Sequence, residues 1–570
     1  MKTILLGGAL CALITASALA ATATNTAAPL AGVKNIIILI NDGAGYTVYD
    51  AARLFNGKPL TTDGAGFLRT NVSTYPLRPD AQAAANPNNN KPGSTVQDPL
   101  SVYDSARFWN TSPVSGPSGV RGYDHSFAQA GFSDVPASFP AGTPVTFYNG
   151  PGVTGTPGAL PGASSFPASF EGYEFSRFAH PDSGNTASSL SDGVKSYNNA
   201  INVDGAGDPQ IAIVDIIGMA HQAGKSAGVV TSVEFSDATP AALGGAHNIA
   251  RANHGEIANE MFSKGYLDVI GGSGNPEFDN DGNPAAAPVY APPLPATGGG
   301  WIYANLWQDL KNNTNLSGKN PYGFTLLQNR EDVQALAAKT GAFAKPPAHV
   351  AMIGKGLTSL QFNRTNILKR ADGVTPIDAT QDTVYGTPLK TNVPSQAELT
   401  IAALNVLDQN GRGFYLMTEG GAVDRAEHAN DTARMIEELD ASDETVKAII
   451  EWVNRKGTAA TWGNTLLIVT ADHDHLLYGP NGDTVPFQPL QDKGAGKVPG
   501  TRWFGPNHGV GLVPLFAYGQ GAKALMSLAS KVDSYTDASG KTWGHGLYVD
   551  QTELGAVLKA TAAQTLKKIH

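Results

Sequence analysis

Asn35-Ile36-Ile37-Ile38-Leu39-Ile40-Asn41-Asp42-Gly43 is a short aliphatic run that stops on an Asp-Gly turn. A continuous apolar run of this length reads as a strand buried on both faces, the environment of a parallel sheet covered by helices. Gly228–Val233, Phe414–Met417, Thr465–Thr470 and Val513–Tyr518 read the same way. Amphipathic helical stretches alternate with them. After Pro394, Ser395 and Glu398 stand at capping-box spacing and Leu399, Ala402, Val406 and Leu407 share one face. Asp431 to Arg455 reads as a long helix stopped by Gly457. The expected fold class is therefore α/β, a central and mostly parallel β-sheet flanked by helices on both faces. Residues 74–170 and 274–300, rich in Pro, Gly, Ser, Asn and Ala, break the pattern and read as long loop insertions.

The ends of the chain read differently. Lys2, the apolar stretch Ile4 to Ile14 and Ala18-Leu19-Ala20 form a signal-peptide pattern over residues 1–20. A flexible segment 21–34 is expected to follow, then a single catalytic domain over 35–570. The destination is then the periplasm or the medium. No segment reaches the roughly 18 apolar residues a spanning helix needs. The single cysteine, Cys11, lies in the leader, which leaves the fold without disulfides. A net charge of −10, with no basic run, argues against nucleic-acid binding.

The predicted strand ends carry the chemistry, as ligands collect at the carboxyl ends of strands in open α/β sheets. Asp42 follows the first run. Asp237-Ala238-Thr239-Pro240 follows the second, and Glu419-Gly420-Gly421-Ala422-Val423-Asp424-Arg425-Ala426-Glu427-His428 the third. Asp424 and His428, four apart, share a helix face and can grip one metal. Thr470-Ala471-Asp472-His473-Asp474-His475 ends the fourth run. The adjacent carboxylate and imidazole of Asp472 and His473 suit zinc, whereas His475 reads as a surface or supporting residue. Asp182-Ser183 opens a helix, where the free N–H groups favour an anion. His508, in Pro506-Asn507-His508-Gly509, precedes the last run.

Taken together, these segments resemble the alkaline phosphatases in order and spacing, from about Asn35 to Ala522. The resemblance implies hydrolysis of phosphate monoesters, with an alkaline optimum, through a phosphoserine at Ser183, at a site of two zinc ions and one magnesium ion. By it, Asp424, His428 and His508 hold one zinc. Asp42, Asp472 and His473 hold the other, with Ser183 completing the shell. Thr239 and Glu419 hold the magnesium with Asp42, and Asp237 orients its water. Arg251, on an expected helix, clamps the phosphate. Three divalent ions outweigh the four acidic ligands, which reconciles an acidic chain with an anionic substrate. Relatives often have a small residue where this chain has Asn185, which puts Thr186 forward as an alternative to Ser183; counting back without a gap from Gly193-Val194-Lys195 keeps Ser183 at the nucleophile position. A homodimer is compatible with the resemblance. Sulfatase-like and diesterase relatives share the Asp42 and Asp472-His473 features. Thr239 and Glu419, hard oxygen donors, favour the monoesterase.

Overall fold

The computed structural model describes residues 27–77, 97–114, 169–203, 215–293, 299–312, 323–364, 383–455 and 457–565. The leader, Cys11 and the larger part of the 74–170 insertion lie outside them. The described strands are β1 Asn35–Ile40, β2 Leu68–Ser73, β3 Pro113–Val114, β4 Ser169–Phe170, β5 Ser226–Glu234, β6 Val269–Ser273, β7 Thr325–Leu327, β8 Val350–Ile353, β9 Phe414–Glu419, β10 Thr465–Thr470, β11 Asp474–Tyr478, β12 Arg502–Gly509, β13 Val513–Gly519, β14 Lys531–Thr536 and β15 Thr542–Asp550.

Eleven of these strands form one sheet in the order β14-β15-β2-β13-β10-β1-β9-β5-β6-β8-β7. From β10 to β7 every neighbour is parallel. β1 lies at the centre, and Ile36 to Ile40 are wholly buried, as an unbroken aliphatic run requires. The expected strand Val513–Tyr518 exists but runs antiparallel to both β10 and β2. A fully buried run carries no information about direction. Beyond it, β2 and β15 are parallel and β14–β15 is an antiparallel edge ribbon.

Helices pack on this sheet. Ser395 caps Gln396–Leu407 through a capping box, and the helix lies against β5, β6 and β9. Thr432–Val453 is capped by Asp431 and ends at Asn454, short of the expected stop at Gly457. The segment before β1 is not loose where it is described. Leu30 and Val33 are buried, and the Leu30 N–H donates to Thr561 Oγ1 at 3.0 Å. The described flanks of the first insertion also have a structural role. Tyr103, Phe108 and Trp109 build a second, aromatic core with Tyr173, Phe175 and Phe487. In the second insertion, buried Asn275 donates to Gln328 Oε1 at 2.9 Å.

Candidate metal and phosphate site

Strand order delivers the site. Across β10, β1, β9 and β5 the register aligns Thr470, Ile40, Glu419 and Thr231 in one row at the carboxyl ends. Asp472 and Asp42 stand two residues past this row on neighbouring strands, Glu419 stands in it, and Asp237 follows β5. Residues more than four hundred positions apart therefore meet at one edge.

Asp42, Asp472, His473 and Ser183 form the first cluster. His473 Nε2 lies 3.3 Å from Asp42 Oδ1 and from Asp472 Oδ2. The Ser183 hydroxyl is 3.2 Å from the same nitrogen and 3.4 Å from Asp42 Oδ1. Gly43 has φ +80° and donates its N–H to Asp472 Oδ1 at 3.1 Å. A Cβ there would fall 2.1 Å from Glu427 Oε2, so only glycine fits.

The second cluster centres on Asp424. Its Oδ2 is 3.3 Å from His428 Nε2, and its Oδ1 is 3.2 Å from His508 Nε2. The two Nε2 atoms face each other at 3.1 Å. His508 is turned this way by its other nitrogen, which bonds the Pro181 carbonyl at 2.8 Å. Of the two places expected for His475, surface or supporting, the structure gives the supporting one. Buried rather than at the surface, its Nε2 is 2.8 Å from Asp424 Oδ1, and Asp424, His473, His475 and His508 place one donor atom each within 4.8 Å of one another. At the third position Thr231 donates its hydroxyl to Glu419 Oε2, and Thr239 Oγ1 is 3.5 Å from Asp42 Oδ2.

Ser183 is the first residue of the helix Ser183–Asp192 and is buried. Asp182 caps that helix, accepting from Asn185 N at 3.0 Å, while the Asn185 side chain accepts from Asp182 N at 2.7 Å. Asn185 thus closes a capping box, which gives this chain a use for a larger residue there. The Thr186 hydroxyl has the Asp182 and Ser183 carbonyls and Asp472 Oδ2 as acceptors within reach of its one proton. Arg251 lies in the turn before the helix His254–Ser263 rather than on a helix. Its Nη1 bonds Asp182 Oδ2 at 3.0 Å and its Nη2 bonds Asp237 Oδ1 at 3.2 Å. Arg425, to which the sequence reading gave no role, reaches Asp237 Oδ2 at 2.6 Å and Glu234 Oε2 at 3.1 Å.

The electrostatics divide these groups. Burial, then the charges of Asp472, Asp424 and Glu419, pushes the Asp42 carboxyl well up. Burial raises Glu419 to about 8 and Asp472 to about 6. Burial also acts upward on Asp424, but His428, His475 and His508 overcome it and hold the group well below the carboxylate range. At Asp237, Arg425 and Arg251 likewise reverse the effect of burial. Glu427 is fully buried with neither side-chain oxygen hydrogen-bonded, and burial raises it well above the usual range. Three clustered carboxylates pushed upward, and two imidazole nitrogens facing each other, are donors short of positive charge. The oxygen and nitrogen set fits zinc at the two imidazole-bearing clusters, and the oxygen-only set of Asp42, Thr239 and Glu419 fits magnesium.

The family model for alkaline phosphatase matches residues 172–543, close to two thirds of the sequence. The chain belongs to the alkaline phosphatase family. Alkaline phosphatase 4 of Bacillus subtilis is 30% identical over 310 residues, 53% of this chain and 51% of that protein. Alkaline phosphatase of Escherichia coli is 30% identical over 300 residues, 52% of this chain and 58% of that protein. The matches thus span little more than half of these relatives. Thermus thermophilus alkaline phosphatase has the same fold, with a TM-score of 0.51 at 16% identity over 95% of this chain and 94% of that one. Among the described residues no helix is long and apolar enough to cross a membrane.

Proposed function

We propose that this chain hydrolyses phosphate monoesters, with Ser183 as nucleophile. The observation that carries the reading is the position of the Ser183 hydroxyl. It stands at a helix N-terminus beside the Asp42–Asp472–His473 cluster, and its neighbour Asp182 is bonded to Arg251. Arg251 has five N–H donors and spends two on Asp182 and Asp237, leaving others for two phosphate oxygens. The helix N-terminus adds a favourable field for the anion. Ser183 Oγ attacks phosphorus, the bond from phosphorus to the alcohol oxygen breaks, and the alcohol leaves with a proton. Water then cleaves the phosphoserine and releases phosphate.

Asp42, Asp472, His473 and Ser183 would hold one zinc, and Asp424, His428 and His508 the other. Asp42, Thr239 and Glu419 would hold magnesium, with Asp237 orienting water beside it. When bound, these ions would lower the pKa of the serine hydroxyl and stabilise the entering and leaving oxygens. Because Ser183 must give up its proton, the rate is expected to rise toward alkaline pH. Export to the periplasm or medium belongs to the same proposal, as does one catalytic domain over 35–570.

Ser183→Ala is expected to cut turnover of p-nitrophenyl phosphate by at least about a thousandfold while leaving the thermal transition in place. Exhaustive chelation is expected to abolish turnover, and zinc with magnesium to restore it. An active Ser183→Ala protein rejects the nucleophile. Full turnover after metal exchange rejects the metal assignment.

A further inference from the structure

A cavity of about 220 Å³ is lined in part by the residues that directly follow Arg251 in the chain. Ala252, Asn253, His254, Pro292, Trp301 and Tyr303 are among the residues that line it. The cavity and the clamp grow from the same two segments. Arg251 is followed directly by Ala252, Asn253 and His254. Ser236, next to Asp237, donates its hydroxyl to the Trp301 carbonyl at 2.8 Å. Consecutive Cα atoms are about 3.8 Å apart, so the His254 wall begins within about 11 Å of the Arg251 Cα.

Among the described residues the lining carries no charged side chain, and His254, Trp301 and Tyr303 give it three rings. The His254 and Trp301 rings lie 3.9 Å apart at 45°. Burial lowers His254 to about 4, so its ring is neutral at ordinary pH. Tyr303 is pressed against Gly255, where a Cβ would fall 2.3 Å from ring atom Cε1. Glycine at 255 is what lets the tyrosine ring stand in the wall. Trp301 and Tyr303 are only half-buried, so part of their surface stays open. Such a lining offers a stacking surface to a flat, uncharged ring.

From this we infer that the alcohol portion of the preferred substrate carries a planar aromatic group, seated against Trp301 while Arg251 holds the phosphate. The inference rests on the phosphatase reading and adds a substrate class to it. An aryl group and a nucleobase share the required chemistry.

The test uses the zinc- and magnesium-loaded protein with phenyl phosphate, adenosine 5′-monophosphate and glycerol 2-phosphate. For Trp301→Ala the kcat/KM ratio of an aromatic ester to glycerol 2-phosphate should fall about tenfold, through KM, and Trp301→Phe should restore most of it. A fall for phenyl phosphate alone assigns an aryl group, and a fall for adenosine 5′-monophosphate assigns a nucleobase. Unchanged ratios for both overturn the proposal. Calorimetric binding of adenosine, which has no phosphate, separates the two readings. If adenosine binds through Trp301 but no ester is hydrolysed, the cavity stands and the phosphatase reading fails. If esters are hydrolysed but adenosine does not bind and the ratios hold, the cavity proposal fails alone.

Discussion

Arg425 joins two halves of the site. From Glu234 the chain of ion pairs runs through Arg425, Asp237 and Arg251 to Asp182, next to the serine. With Arg425 removed, Asp237 keeps one cationic partner and can draw Arg251 away from the phosphate position proposed for it. Arg425→Met is therefore expected to raise KM for a monoester about tenfold and change kcat less, as steady-state kinetics would report. An unchanged KM would leave Arg425 with no part in phosphate binding. The residue was not legible in the sequence because a charged position between two helical ligands also suits a solvated face. His475 stays open between a surface and a supporting place in the sequence for a related reason. An Asp-His-Asp-His string shows which residues are polar, but β11 pairs with β12 and turns His475 inward, and that pairing is tertiary. Asp42, Asp472 and His473 were legible because each follows an aliphatic run long enough to be recognised.

The same contrast holds for the elements. β1 and β10 have the bounds that their apolar runs predict, and the helix Gln396–Leu407 begins where Ser395 and Glu398 signal it. The direction of β13 was not written in its residues, and the three- to five-residue strands β6, β7 and β8 are too short to stand out from loops. The helix Ser183–Asp192 shows how an element serves the chemistry. One carboxyl oxygen of Asp182 caps it and the other holds Arg251. Asp182→Ala should therefore lose about 1 kcal/mol of stability, the usual worth of a cap, and also raise KM. Asp182→Asn keeps a cap acceptor but loses the charge facing Arg251, so it should raise KM with little change in thermal unfolding. Equal destabilisation by the two variants would show that the charge, not the cap, supports the helix.

For the whole molecule, the arrangement that makes the site also loads the sheet with unfavourable charge. Asp42, Glu419 and Asp472 are buried at adjoining strand ends, and Cys11 alone cannot give an intrachain disulfide to offset them. The raised carboxyls set the sign of the pH dependence. Without metal, the folded state holds protons on Glu419 up to about 8 and on Asp472 up to about 6, whereas the unfolded chain releases them near 4. The metal-free protein thus has its full stability below pH 4 as far as these groups are concerned, and loses that part as pH rises through 6 and then 8. On the proposed metal assignment divalent ions reverse the trend, because they would bind the ionised carboxylates and only the folded chain presents them together. The gap in Tm between the zinc- and magnesium-loaded protein and the chelated protein should therefore be small at pH 5 and widen to about 5 °C or more by pH 9. Scanning calorimetry at both pH values reads it directly. A gap that stays constant or narrows with pH would mean that these carboxylates are not what the ions neutralise.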